Sequence, residues 1–442
     1  SWLYFPQDKN NTKLYFGIMK YNASVINMNL EEYIKEGFNT LRYIKEYFNV
    51  TRCVQKFFNS MRKTGTYIAS TTLGEAFQAF IPHPLPPVAP ELDPIRFEAK
   101  NRAAELALAR LKGVAGLVPS VDWLLYSAIR KEALMTSQIE GTQATLVDLF
   151  DDEAGFAVSN SEDVEEVANY LRAFRLVQSN LRDPSGLPIS VRLLCNAHEL
   201  LMNGVRGGVK QPGLLRQSQN WIGGSRPGNA VFVPPPADRV PELLSNLEQF
   251  IHDNEYVKLS PLVKTALVHA QFETIHPFLD GNGRIGRLLI AALLEHWQML
   301  PEPLMYLSGY LKQHQSVYYQ RLSAVRSDGD WEAWIEFFLE GVESAAAKAE
   351  QGIVSVASLI AADRRKILES PRATPVVYRL FESLPMMPRF NVEQVKNKLN
   401  ASFPTANAAV SVLEALGIVV EVTGQKKHRA YSYKRYIDLL SD

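Results

Sequence analysis

Apolar positions recur at three- and four-residue spacing through most of the chain after residue 95, the period of an amphipathic helix. The pattern predicts helices over 95–112, 120–140, 161–180, 190–202, 238–253, 260–275, 284–299, 308–326 and 330–368, with Gly or Pro between them. Three stretches break that period. The run IPHPLPPVAPELDP (81–94) holds too many prolines for a helix or a central strand and predicts an extended strap. Segment 204–236 is rich in Gly and Pro and predicts a β-hairpin, short apolar strands around a Gly-Ser-Arg-Pro-Gly-Asn turn. From about residue 372, two short helices (391–399, 404–416), the apolar strand GIVVEV and the basic turn GQKKHR before AYSY outline a winged helix-turn-helix. The expected fold class is mainly α: a helical bundle with a small β-hairpin flap, plus a C-terminal winged helix-turn-helix-like domain.

Residues 1–60 stand apart. They are rich in Asn, Tyr, Phe and Lys and nearly free of Gly, Pro and Ala, and LEEYIKEGFNTLRYIKEYFNV predicts one amphipathic helix. The change of character at Met61 points to a natural start near that residue, with the upstream segment an appendage. At 442 residues the chain exceeds what one core usually serves, so several domains are expected.

Composition narrows the function only by exclusion. Lys plus Arg and Asp plus Glu are 47 each, so net charge gives no bulk attraction to nucleic acid or an anionic membrane. Two cysteines, Cys53 and Cys195, provide neither a disulfide framework nor a CxxC metal pair, and a cytoplasmic location fits. The first residues lack the features of a signal peptide. The longest apolar stretch, Leu288 to Leu294, is far short of the roughly 20 residues a membrane span needs, so no membrane partner is expected.

The chemistry concentrates in residues 276–287, HPFLDGNGRIGR. Gly281-Asn282-Gly283 lies between two helical patterns, where converging N–H groups and a helix N-terminus make an anion site fit for phosphate. Arg284 and Arg287 are three apart and can face one side of the new helix, and their guanidinium forks suit phosphate oxygens. Asp280 offers a hard oxygen ligand for Mg²⁺. His276 is the nearest group suited to general base work near neutral pH. The string also matches GxGxxG, but that fingerprint requires a preceding strand, and LVKTALVHAQFETI reads as helix. A Gly-rich helix–helix turn with solvated arginines would explain GNGR alone, not the whole string.

HPF-x-D-GNGR-x-x-R is the defining motif of Fic proteins, and every fixed position is matched here. The chain resembles that family from about Thr66 to the C-terminus. The resemblance implies a Fic-type helical bundle and transfer of AMP from ATP to a hydroxyl of a target protein, Ser, Thr or Tyr. It implies His276 as base, Phe278 as loop anchor and Asp280 as Mg²⁺ ligand. Gly281, Asn282, Gly283 and Arg284 would cradle the α- and β-phosphates, and Arg287 would take the γ-phosphate. The domains would then be an extension (1–60), an N-terminal region with the strap (61–119), a catalytic core (120–370) and the winged-helix-like domain (371–442).

Two further segments join this resemblance. Thr136-Ser137-Gln138-Ile139-Glu140-Gly141 is similar to the Fic inhibitory motif [S/T]xxxE[G/N], with Thr136, Glu140 and Gly141 at its fixed positions. A Glu140 carboxylate paired with Arg287 would occupy the charge meant for γ-phosphate. Taken alone, so short a segment reads better as a helix ending at Glu140 with Gly141 as its cap, and the inhibitory reading is favoured only beside the complete Fic motif. The hairpin around Trp221, Ile222, Gly223, Gly224, Val231 and Phe232 resembles the flap on which Fic proteins dock their targets by backbone pairing.

Other candidates are weaker. His269 reads as a packed core histidine, and His198-Glu199 lacks the second His of a zinc motif. Trp331, Trp334, Phe337 and Phe338 form a core stripe, while Tyr306, Tyr310, Tyr318 and Tyr319 are divided between core and adenine pocket. Lys426, Lys427, His428 and Arg429 form a solvated turn or a DNA-contacting wing. The competing functions are removal of AMP at the same site, and a DNA-binding regulator with a Fic sensor core. Fic proteins also often dimerise, so a homodimer is a further expectation.

Overall fold

In the computed structural model, which describes residues 62–72, 74–204, 210–253 and 259–441, an antiparallel pair comes first. Strands β1 (Gly65–Thr72) and β2 (Glu75–Pro82) pair in register from Gly65 with Pro82 to Thr72 with Glu75. The helix expected within 1–60 lies outside the described residues. Then come α1 (Glu98–Val114), α2 (Val121–Ile139), α3 (Leu146–Glu153), α4 (Ser161–Arg182) and α5 (Val191–Leu201). Helices α6 (Val240–His252), α7 (Pro261–Ile275), α8 (Asn282–His296), α9 (Leu307–Gln313), α10 (Gln315–Ser327) and α11 (Trp331–Leu368) complete the bundle.

Helix α7 is its axis. Every residue from Leu262 to Ile275 is buried, as befits a segment that is apolar nearly all round. Around it pack α1, α6, α8, α10, α11 and β2. Most of its polar side chains find partners inside the bundle: Lys264 donates to the Asp253 carbonyl (3.2 Å), and Gln271 to that of His83 (2.8 Å). Trp334 of α11 donates its indole N–H to the Ala266 carbonyl at 2.8 Å. No described helix is long and apolar enough to cross a membrane.

After α11 come α12 (Pro375–Ser383), β3 (Arg389–Asn391), α13 (Val392–Leu399), α14 (Phe403–Ala415), β4 (Val420–Glu421), β5 (Ala430–Ser432) and α15 (Lys434–Ser441). The strands form one sheet in the order β3-β5-β4. Buried Asp363 near the end of α11 accepts from Tyr433 (3.0 Å) and Arg435 (2.6 Å), and Arg389 grips Asp151 of α3 with two hydrogen bonds.

Three expectations need correction. The hairpin predicted in 204–236 is a single bridge, Ile222 with Phe232, whereas the real ladder occupies 65–82. Prolines 227 and 234–236 remove ladder donors, and the Phe80 amide of β2 takes the Val233 carbonyl instead (3.0 Å). The β-branched run TYIASTT was the overlooked strand signal. The strap starts after Pro82, because Ile81 and Pro82 close β2. The helix expected over 308–326 is broken at His314 into α9 and α10. Helix α3, with its Thr145–Asp148 capping box, α12 and α15 were not foreseen.

Candidate active site

The site begins where α7 ends. His276 caps that helix in the left-handed region (φ 51, ψ 62), a conformation normally left to glycine. Such a backbone costs about 1–3 kcal/mol and persists only where its surroundings impose it. Here they do. The Arg216 side chain donates to the carbonyls of His276 (2.9 Å), Ile275 (3.3 Å), Pro235 (2.5 Å) and Ser218 (3.3 Å). Its own amide donates to the Pro277 carbonyl at 2.9 Å. Asn220 adds bonds to the carbonyls of Phe278 (3.0 Å) and His276 (3.4 Å). A cation against the carbonyl end of α7 also complements the helix dipole.

Residues 278–282 fold on themselves. The Asn282 side chain accepts from the Phe278 amide and donates to its carbonyl, both at 2.8 Å. Asn282 therefore contributes to any phosphate cradle through its main chain, because its side chain is engaged in the loop. The buried Phe278 ring stacks on His198, with centroids 3.9 Å apart and planes 6° from parallel. His198 Nε2 reaches the Asp280 carbonyl (3.0 Å), and its Nδ1 accepts from the Gly213 amide (2.9 Å). Burial pulls this histidine down to about 4, so it is neutral at pH 7. At Gly281 (φ 75) a Cβ would press on the Met202 sulfur at 2.9 Å, so this turn requires glycine.

Helix α8 starts at Asn282 with its N-terminus beside this loop. The two arginines take different partners. Arg284 is buried and pairs with Glu166 of α4 at 3.2 Å, while its other nitrogen lies 3.9 Å from Asp280. Arg287 donates to the Thr136 hydroxyl (2.6 Å), the Thr136 carbonyl (3.1 Å) and the Glu140 carboxylate (2.5 Å). Burial works to raise the Glu140 carboxyl, but the Arg287 charge outweighs it and holds the group below its ordinary value. Gly283 supplies the space, since a Cβ there would collide with that carboxylate. Glu140 is also the C-cap of α2, and Gly141 (φ 102) turns the chain away. The cap and the partner of Arg287 are one residue.

The His276 imidazole is pulled down to about 4, first by burial and next by the Arg216 charge, so it is unprotonated and able to accept a proton at neutral pH. Glu273, one turn earlier, is pushed up to about 7 by burial, and one of its oxygens has no hydrogen-bond partner. His269 bonds the Gly286 carbonyl (3.0 Å) and the Tyr318 hydroxyl (2.8 Å), a packed core histidine as expected. The bridge segment divides: Val231 is exposed, Phe232 is buried under the Arg326 guanidinium (3.9 Å), and Trp221 packs against Phe77, Ala79 and Val233. Among the described residues no group of three or more His, Cys, Asp or Glu is placed to hold a metal. Asp280 is an exposed single carboxylate accepting from the Gly281 amide at 2.6 Å. One carboxylate fits a Mg²⁺ that arrives with phosphates and keeps its waters.

Arg216, Asn220 and Glu166 are positions that sequence reading did not single out, and His198, weighed there only as half of a zinc motif, instead holds the 278–281 loop. A faint signal existed for the first: no Asp or Glu occurs between Glu199 and Asp238, so a buried arginine there has only carbonyls nearby in sequence.

A model of the Fic/DOC family N-terminal region matches residues 99–178, and one of the Fic/DOC family matches 188–294. A protein adenylyltransferase Fic of Aedes aegypti is 30% identical over 131 residues, which are 30% of this chain and 23% of that protein. A probable protein adenylyltransferase of Aquifex aeolicus is 36% identical over 87 residues, 20% of this chain and 25% of that one. The chain thus spans about a quarter of the length of the curated relatives it matches. A solved Fic family protein of Desulfovibrio desulfuricans superposes with a TM-score of 0.47 at 24% identity, covering 75% of this chain and 95% of that one. With both family regions in order and HPFLDGNGRIGR inside the second, residues 99–178 and 188–294 of this chain are a Fic/DOC N-terminal region and a Fic/DOC domain.

Proposed function

We propose that this chain is a protein adenylyltransferase that moves AMP from ATP to a Ser, Thr or Tyr hydroxyl of a target protein, and that Glu140 holds it off at rest. The carrying observation is a neutral His276, fixed in the left-handed region, beside the N-terminus of α8 and its Arg287. The printed names of the relatives agree with this reading. In the reaction, the target oxygen bonds to the α-phosphorus and its proton passes to the His276 imidazole. The bond from that phosphorus to the bridging oxygen breaks, and pyrophosphate leaves. The main-chain amides around Gly281–Gly283 and the α8 dipole bind the phosphates. Mg²⁺, held by Asp280, supplies charge neutralisation on them when bound. Arg287 takes the γ-phosphate once Glu140 withdraws. The exposed edge near Val231 accepts the target backbone.

Incubation with α-³²P-labelled ATP and lysate tests this. Label on protein that disappears in His276→Ala supports the reading, and label that persists in that variant refutes the assignment of the base. Residues 375–441 we read as a winged helix-turn-helix, on the order of α12, β3, α13, α14, β4, β5 and the exposed Lys426, Lys427 and His428 between its last two strands. Salt-sensitive binding to duplex DNA, lost in Lys426→Ala/Lys427→Ala, would make that turn a nucleic-acid contact.

A further inference from the structure

Arg216 is 2% exposed, and no carboxylate pairs with it among the described residues. A buried charge without a counterion costs several kcal/mol, so a purely structural role would be served better by a neutral donor. Its four acceptors fall into two groups. Ser218 and Pro235 flank the bridge of Ile222 with Phe232, the segment on which the target is proposed to dock. Ile275 and His276 are the end of α7 and the proposed base. One rigid fork thus ties both ends of the docking segment to the peptide that carries the imidazole.

We propose that Arg216 is a positioning residue that couples the docking segment 218–236 to the main chain of His276, so that the base is aligned only when that segment is in place. The inference rests on the adenylyltransferase reading for its kinetics but not for its structural consequence. The same guanidinium is, after burial, the strongest influence keeping the imidazole unprotonated. Arg326 of α10 adds to it, while Glu140 at the end of α2 and the Glu273 carbonyl of α7 oppose it. Lysine cannot replace the fork, because one ammonium on a flexible stem does not span four carbonyls in two directions.

The test compares Arg216→Lys and Arg216→Gln, each in a Glu140→Gly background, by kcat and KM against pH and by NMR titration of histidine-labelled protein, with His276 assigned from His276→Ala. In Arg216→Gln the His276 pKa and the acid limb of the rate profile should rise from about 4 by a unit or more toward 6.5. In Arg216→Lys the limb should stay low while kcat falls at least about tenfold, the scale of a misplaced reacting group. KM for ATP should be unchanged in both. An imidazole that titrates as in the parent in folded Arg216→Gln overturns the electrostatic role. A kcat loss in Arg216→Lys matched by a rise in KM for ATP overturns the positioning role. If the Gln variant does not fold, the kcat against KM split of the Lys variant decides alone. If the parent transfers no nucleotide, the titration still decides, which separates failure of this inference from failure of the proposed activity.

Discussion

Replacing Glu140 by glycine perturbs one contact and leaves its surroundings in place. The carboxylate accepts from Arg287 at 2.5 Å, and Arg287 keeps two bonds to Thr136 when the carboxylate is gone. A hydrogen bond between charged groups is worth about 1.5–3 kcal/mol. The Glu140 side chain is 36% exposed, so solvent screening places this one in the lower half, about 2 kcal/mol. That energy now opposes any γ-phosphate that needs the same guanidinium. Its removal should tighten productive ATP binding by about 30-fold, at 1.4 kcal/mol per factor of ten. The variant should also lose stability without nucleotide, because a buried guanidinium has lost its counter-charge. ATP should then raise its Tm more than it raises the parent's. Calorimetric ATP titration, labelling rates with α-³²P ATP, and thermal melts with and without ATP and Mg²⁺ read all three effects. If affinity and labelling stay within about threefold of the parent (about 0.7 kcal/mol) while the Tm falls, the pair is structural and the switch assignment is wrong.

His198→Ala removes a ring stacked on Phe278 and two hydrogen bonds, so it should cost about 2–4 kcal/mol of stability and weaken ATP binding through a loosened 278–281 loop; urea unfolding and calorimetry check both. His269 titrates at about 3 in the fold and near 6.5 unfolded, so the unfolded state binds the extra proton and stability is lost as pH falls from 6.5 toward 3. His269→Gln should therefore flatten the stability–pH curve by about 1.4 kcal/mol per pH unit between pH 6 and 5, and parallel curves would refute the burial argument. Arg389→Ala breaks a two-bond ion pair with Asp151 whose side chains are each 15% exposed, and should cost about 1–3 kcal/mol in a denaturant titration followed at the C-terminal tyrosines.

The sequence by itself determined the helical bundle and the place of the Fic motif within it. Period and Gly/Pro punctuation are local properties, so α2, α4, α7 and α11 were readable to within a residue or two. The motif was readable for the same reason, its groups being twelve consecutive residues. Glu140 was legible only through the similarity of TSQIEG to a known motif, and only the fold brings it to Arg287 across 147 positions. The helix cap and the salt-bridge partner, competing readings in the sequence, turn out to be one residue doing both. The hairpin went astray because β-pairing depends on which strand edge is free nearby, and β2 captures the Val233 carbonyl. The roles of Arg216, His198 and Asn220 were invisible for a related reason. Their partners are backbone carbonyls and amides, which every residue carries, so no side-chain pattern marks them. Which main-chain groups converge on a buried guanidinium is decided only when α7, the 276–282 loop and the bridge segment come together.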